Sequence, residues 1–143
     1  MLDRHTHKPV AKKPRIIPPH YYDSVAEWDW DRAKLEHLIE NATGDIFICA
    51  VMSNQASFYR YFDEIFVLQA SSKVLKQRLL ARSKRNFTNQ PNELYDVLKK
   101  HKNFEQELIN HGALAINAEK PLTDVVASIL KQVHSAKKSA DLK

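Results

Sequence analysis

The sequence predicts an α/β protein built on a three-layer open parallel sheet flanked by helices. Three short apolar runs have the length and composition of strands buried on both faces. They are DIFICAV (45–51), EIFVLQA (64–70) and ALAIN (113–117). Longer amphipathic segments alternate with these runs, which indicates parallel strands joined by crossover helices.

The predicted helices have recognisable ends. SVAE (24–27) has the form of a capping box and introduces a helix over 28–42, with Gly44 shortly after it. Serines at 71 and 72 suit the start of a helix over 71–85. A longer helix is predicted from Pro91 to Gly112, because proline favours the first helical position and glycine the end. The segments 53–63 and 119–133 predict a short helix or turn and a final amphipathic helix.

The chain of 143 residues has the size of one domain. Residues 1–20 hold four of the six prolines and show no sustained period, so they are predicted to form an extended basic arm. Residues 21–136 are predicted to form a single α/β domain, and residues 137–143 a frayed tail. Cys49 lies within an apolar strand and is expected to be a buried, inert thiol.

The positive charge is concentrated in two places. The net charge is +5, and Lys and Arg exceed Asp and Glu by four in residues 1–20 and by seven in residues 73–102. Such a distribution suggests an anionic partner, which could be a nucleotide, a phosphorylated metabolite or nucleic acid, although a solvated surface has the same pattern. No apolar run approaches the roughly eighteen residues of a membrane span, so a cytoplasmic location without membrane contact is expected.

The fold class also predicts where a ligand would bind. In open parallel sheets, ligands bind beyond the carboxyl ends of the strands. The predicted site edge is therefore formed by MSNQ (52–55), QASS (69–72) and NAEKP (117–121).

A longer succession of residues resembles a known family. The run NQASFYRYFDEIFVLQASSKVLKQRLLARSKRNF, followed by NELYDVL and by GALAINAEKPLTDVVASIL, is similar to the C-terminal two thirds of small P-loop kinases of the adenylate, shikimate and nucleoside kinase type. The resemblance covers about residues 30–134. It implies a P-loop NTPase fold, ATP and Mg²⁺ as cofactors, and phosphoryl transfer to a small-molecule acceptor.

The resemblance also implies roles for particular residues. The catalytic residues would be Arg82, which would stack on adenine, and Arg85, which would neutralise the transferred phosphoryl group from a lid. The nucleotide would further contact Arg78, Asn117, Ala118 and Lys120, and the acceptor would contact Asn54 and Gln55. Other interpretations remain open. The arginines could equally form a solvated stripe on a surface helix. Residues 117–121 could be a plain connection between a strand and a helix, and Asn54 could be a helix cap.

One family feature is missing from this sequence. A phosphate-binding loop needs two glycines five residues apart, followed by Lys and Ser or Thr. The chain has only Gly44 and Gly112, and neither is followed by lysine. The fold is therefore expected to be N-terminally incomplete and the chain inactive, whether through a misplaced start site, trimming or degeneration.

Two further interpretations come from the residues themselves. The alternative function is a non-catalytic basic α/β module that binds nucleic acid or a protein partner. His5 and His7 could chelate a metal, but no third ligand at a suitable spacing accompanies them, so no metal site is predicted.

Overall fold

The computed structural model describes residues 1–3, 5–10, 26–81 and 91–140. It is a mixed helix and strand protein with a small parallel sheet, which confirms the predicted combination of elements. The chain divides into two compact units, Met1–Tyr61 and Phe62–Lys143. The predicted boundaries at residues 20 and 136 stay predictions.

The first unit contains a short antiparallel ladder. Strand β1 (Leu2–Asp3) pairs with β2 (Ala26–Glu27). Helix α1 (Arg32–Glu40) and a 3₁₀ helix (Gln55–Tyr61) follow along the chain. The 3₁₀ helix confirms the short helix or turn predicted for residues 53–63.

Helix α1 begins later than the capping box predicted. Ser24 lies outside the described residues, and Glu27, the other end of the box, is in β2. The helix is capped instead by Asp31, whose carboxylate accepts a hydrogen bond from the Lys34 backbone N–H over 3.2 Å. Pairing with β1 holds Ala26–Glu27 extended, so the helix starts further along the chain and Asp31 becomes the cap.

The aromatic side chains of the first unit form its small core. Phe58 is buried, and Trp30 contacts it edge to face with ring centroids 5.4 Å apart. The Arg32 guanidinium lies 5.5 Å from the centre of the Phe58 ring. The Tyr61 hydroxyl donates to Glu36 Oε1 over 2.5 Å. These contacts join α1 to the 3₁₀ helix.

The strand predicted over residues 45–51 does not form, although the structure describes all seven residues. Its large apolar side chains are exposed, and Val51 keeps 66% of its surface accessible. The prediction of a buried thiol at Cys49 is also wrong, because Cys49 is exposed. A strand needs a neighbour for its backbone hydrogen bonds, and no described strand pairs with this segment.

The second unit follows the predicted order of elements. Strand β3 (Phe66–Gln69) leads into helices α2 (Ser72–Ala81) and α3 (Pro91–Asn110), then strand β4 (Leu114–Asn117) and helix α4 (Leu122–Ala140). Strands β3 and β4 pair in parallel, with Phe66 opposite Leu114 and Gln69 opposite Asn117. Both apolar runs predicted as strands in this part of the chain are confirmed.

Helix α3 starts and stops where the proline and glycine predicted. It begins at Pro91, and Gly112 after its end has a φ of 94°. The Gly112 N–H donates to the Ile109 carbonyl and the Ala113 N–H to the Leu108 carbonyl, over 2.9 and 3.0 Å. This is a Schellman motif, which suits glycine because its φ lies in the left-handed region.

The core of the second unit lies between its sheet and its helices. Helix α3 packs on β3 and on α2, and α4 packs on β4. The buried apolar residues of the unit are Val67, Leu79, Leu108, Ala113, Ile116 and Val125. Leu68, on the opposite face of β3 from Val67, is 54% exposed. The described residues therefore cover one face of this strand more fully than the other.

Candidate functional site

The carboxyl ends of β3 and β4 form a polar edge. The parallel register places Gln69 beside Asn117, and the Ala118 N–H extends the ladder by donating to the Gln69 carbonyl over 2.9 Å. A shallow depression of about 330 Å³ lies at this edge. Its lining residues are Gln69, Ala70, Ser71, Asn117 and Glu119. Two of the three predicted site segments therefore meet here, because parallel strands end on the same side of a sheet.

Helix α2 places a positively charged side chain at this edge. Arg78 lies nearly two turns into the helix, and its Nη1 donates to the Ala118 carbonyl over 2.6 Å. The start of the helix is fixed by Ser71, whose Oγ accepts from the Val74 N–H over 3.4 Å. The guanidinium thus connects α2 with the loop that follows β4.

Glu119 provides the opposite charge. Its Oε1 accepts from the Ser71 backbone N–H over 2.7 Å, and its own N–H donates to Asn117 Oδ1 over 2.9 Å. Hydrogen bonds from the Ser71 side chain and backbone lower the pKa of the Glu119 carboxyl, and the charge of Arg78 adds to the effect. The ionised carboxylate occupies the backbone donor before α2 that a free anion would otherwise use.

A buried histidine connects α3 with the start of α2, next to this edge. His101 of α3 lies with its Nδ1 2.9 Å from the Leu98 carbonyl and its Nε2 3.3 Å from Ser72 Oγ. Because a carbonyl only accepts, Nδ1 carries a proton, and in the neutral ring Nε2 then accepts from the serine. The first turn of α2 is therefore tied to the middle of α3.

The predicted nucleotide residues lie together where the structure describes them. Arg78 contacts Ala118, and Asn117 is the preceding residue, at the end of β4. Lys120 is exposed one residue beyond Glu119. Arg82 and Arg85, the predicted catalytic residues, lie outside the described residues.

The predicted acceptor residues belong to the first unit, and both have intramolecular partners. Asn54 hydrogen-bonds the backbone of Trp30 through both ends of its amide. Gln55 accepts from the Met52 N–H over 3.2 Å and donates to the Tyr59 hydroxyl over 3.1 Å. Each side chain therefore has a local structural role, and substrate contact by either residue stays a prediction.

Sequence reasoning missed two sets of polar residues. It identified the edge segments but not the Glu119 carboxylate, although a charged residue two positions after Asn117 was a usable signal. It also missed that His7 lies with Glu27 and Asp29 in a group whose potential ligand atoms are all within 4.8 Å of one another. About twenty residues separate the histidine from the two acids, so no local spacing pointed to this cluster.

Comparisons with known proteins add no assignment to these residues. Within the described part of the chain, no helix combines the length and the apolar character needed to cross a bilayer. No protein-family model, curated protein or solved structure matches the chain.

Proposed function

We propose that the chain is the nucleotide-binding part of a P-loop kinase-like protein, and that the edge of the β3–β4 sheet holds the adenine base of ATP. In this proposal the two strands belong to a three-layer sheet, and the complete protein acts in the cytoplasm, where ATP is available. The observation that carries it is the 2.6 Å hydrogen bond between Arg78 and the Ala118 carbonyl. It joins the helix and the loop to which the resemblance assigns the nucleotide.

The chemistry of the edge suits a neutral planar base. The Ala118 carbonyl keeps a second lone pair for an exocyclic amine after accepting from Arg78. Asn117 and Gln69 offer amides at the rim of the depression. Backbone and amide groups of this kind fix the orientation of a ligand in many small-molecule sites.

Magnesium does not fit the same residues. The carboxylate at the edge, Glu119, accepts from Ser71 and lies near the Arg78 charge. Mg²⁺ prefers oxygen ligands together with the phosphates of a nucleotide, and this sequence has no phosphate-binding loop. We therefore assign no catalytic step to a metal here and expect the chain to bind nucleotide without transferring phosphate at an ordinary rate.

Nucleotide titration tests the proposal. ADP binding to the full chain is measured by calorimetry, and the backbone amide shifts of residues 117–120 are followed by NMR during the titration. Arg78→Gln should weaken ADP binding about tenfold or more, since a charged hydrogen bond that orders the loop is lost. Lys76→Ala, another exposed cation of α2, is the matched control and should bind as the unmodified chain does. Absence of saturable ADP binding, or shifts confined to other residues, would refute the assignment.

A second candidate function rests on the basic surface of the second unit. Of the nine Lys and Arg residues between 73 and 102, six are described and all six are exposed: Lys73, Lys76, Arg78, Lys99, Lys100 and Lys102. Lys99 also lies 5.8 Å from the ring centre of Tyr95, an exposed aromatic residue. Exposed cations beside an aromatic ring are the elements that single-stranded nucleic acids bind.

The two functions make opposite predictions. Nucleic-acid binding should fall steeply as salt rises and should be indifferent to added ATP. A chain carrying Lys99→Ala, Lys100→Ala and Lys102→Ala together should lose oligonucleotide affinity but keep ADP affinity. If instead ADP competes with the oligonucleotide and Arg78→Gln weakens both, a single site serves both ligands and the basic-module function is excluded as a separate one.

A further inference from the structure

A histidine and two carboxylates from separate segments meet in the first unit. One potential ligand atom from each of His7, Glu27 and Asp29 lies within 4.8 Å of the others. His7 Nδ1 lies 2.9 Å from Glu27 Oε1. This cluster belongs to neither of the functions proposed above, because its residues lie outside Phe62–Lys143.

Hydrogen bonds within the turn from Asp3 to His7 hold the histidine in place. Asp3 Oδ1 accepts from the Thr6 N–H over 2.7 Å and from the Thr6 hydroxyl over 2.8 Å. The His7 N–H donates to the Asp3 carbonyl over 2.8 Å, closing the turn. Because Asp3 also pairs with Ala26 in the β1–β2 ladder, the same strand pair carries Glu27 to the histidine. The arrangement is thus set by main-chain structure rather than by the three side chains alone.

Burial distinguishes this cluster from a surface ion pair. Glu27 is only 7% exposed, whereas the His7 side chain is 68% exposed. Asp29 Oδ1 is buried and accepts no hydrogen bond from any described residue. A buried carboxylate oxygen without a donor is unfavourable, and a cation at this position would supply the missing positive charge. The exposed imidazole leaves the His7 side of the cluster open to solvent.

We propose that His7, Glu27 and Asp29 bind a divalent metal ion, with Zn²⁺ as the ion that best suits one imidazole and two carboxylates. Zinc bonds to nitrogen and oxygen ligands are about 2.0–2.2 Å long, so the ligand atoms of a tetrahedral site lie about 3.4 Å apart. To reach this geometry, the separations of up to 4.8 Å must shorten and the 2.9 Å pair of His7 and Glu27 must open slightly. Three protein ligands leave a fourth position for water, and the open side provides the entry path.

A competing assignment uses the neighbouring histidine. If the HTH sequence chelated a metal by itself, the ligands would be His5 and His7, and neither acid would matter. The two assignments differ in the residues they require, which makes them separable by substitution.

Zinc titration of the chelator-treated full chain tests the proposal. Affinity is measured by competition with a chromophoric chelator, and Co²⁺ serves as a spectroscopic substitute. We expect one Zn²⁺ per chain, with His7→Ala, Glu27→Gln and Asp29→Asn each weakening binding by at least about tenfold. His5→Ala is the matched control in the same turn and should leave zinc affinity within about twofold. The Co²⁺ spectrum should lose its tetrahedral bands in Asp29→Asn and keep them in His5→Ala.

A second readout keeps the proposal testable if Glu27→Gln fails to fold. Asp29 is only partly buried, so Asp29→Asn is expected to fold. Zinc should raise the unfolding temperature of the unmodified chain and of His5→Ala, but not that of Asp29→Asn. Failure of the unmodified chain to bind zinc, or equal zinc affinity in Asp29→Asn, would overturn the proposal. Equal losses in His5→Ala and His7→Ala with none in Asp29→Asn would assign the metal to the HTH pair and reject the three-residue site.

Discussion

The side-chain amide of Asn54 satisfies both polar backbone groups of Trp30. Its Oδ1 accepts from the Trp30 N–H over 2.9 Å, and its Nδ2 donates to the Trp30 carbonyl over 3.1 Å. Both contacts are partly buried and bridge 24 positions of sequence. Asn54 therefore fixes the chain before α1 against the start of the 3₁₀ helix.

Replacing this residue should destabilise the first unit. Asn54→Ala leaves two partly buried backbone groups without their side-chain partner, so we expect the free energy of unfolding to fall by about 1–3 kcal/mol. Urea unfolding followed by tryptophan emission measures it, because both tryptophans lie in Met1–Tyr61. Ser53→Ala, the exposed neighbour, is the control. A loss for Asn54→Ala no larger than the control's would show that the amide pair contributes nothing.

Adjacent leucines of α2 should differ sharply in their effect on the second unit. Leu79 is 3% exposed and Leu80 is 56% exposed. Leu79→Ala removes buried methyl groups and should cost about 2–5 kcal/mol of unfolding free energy. Leu80→Ala should change it by less than about 0.5 kcal/mol. Hydrogen exchange at the amides of β3 and β4 measures both, and similar losses for the two variants would contradict the packing described here.

The sequence-based prediction succeeded where single residues mark the ends of an element. Pro91 and Gly112 bound α3, and their effect depends on the backbone of single residues. The apolar run at 45–51 has the composition of a strand, yet strand formation depends on a partner elsewhere in the chain. Composition identified a segment that would suit a sheet, but not whether a sheet is present to receive it.

The candidate site was predictable at the level of loops and not of side chains. Parallel strands end on the same side of a sheet, so residues 69–72 and 117–121 were predicted at the same edge. That they are direct neighbours comes from the pairing of β3 with β4. The bond between Glu119 and Ser71 depends on the torsion angles of the loop after β4. The cluster of His7, Glu27 and Asp29 depends on a ladder of two-residue strands. Such short elements carry no hydrophobic period from which they could be predicted.

The exposed thiol of Cys49 should react in the folded protein. Because the side chain is accessible, we expect an aromatic disulfide reagent to modify it at nearly the rate measured in urea. Cys49→Ser should leave the free energy of unfolding within about 0.5 kcal/mol of that of the unmodified chain. Strong protection of the thiol under native conditions would contradict its exposure and support the buried strand that the sequence predicted.

The carboxylate at the sheet edge should make the second unit more stable at neutral than at acidic pH. Hydrogen bonds from Ser71, followed by the charge of Arg78, lower the pKa of Glu119 in the folded chain below its ordinary value. The folded state therefore favours the ionised form. Its contribution is present above the pKa of the unfolded chain and is lost as pH falls through the lower folded pKa.

A pH series with one substitution isolates this contribution. Glu119→Gln keeps the size of the side chain but not its charge, so the stability difference from the unmodified chain should be largest near neutral pH and shrink in acid. The carboxyl carbon shift of Glu119, followed by NMR, should titrate below the ordinary pKa of glutamate, which is about 4.3. Arg78→Gln should move that midpoint up by removing the smaller of the two causes, while Lys76→Ala should leave it in place. A Glu119 midpoint at or above the ordinary range would mean that the bond to Ser71 does not persist in solution, because an ionised acceptor held by a backbone donor must resist protonation.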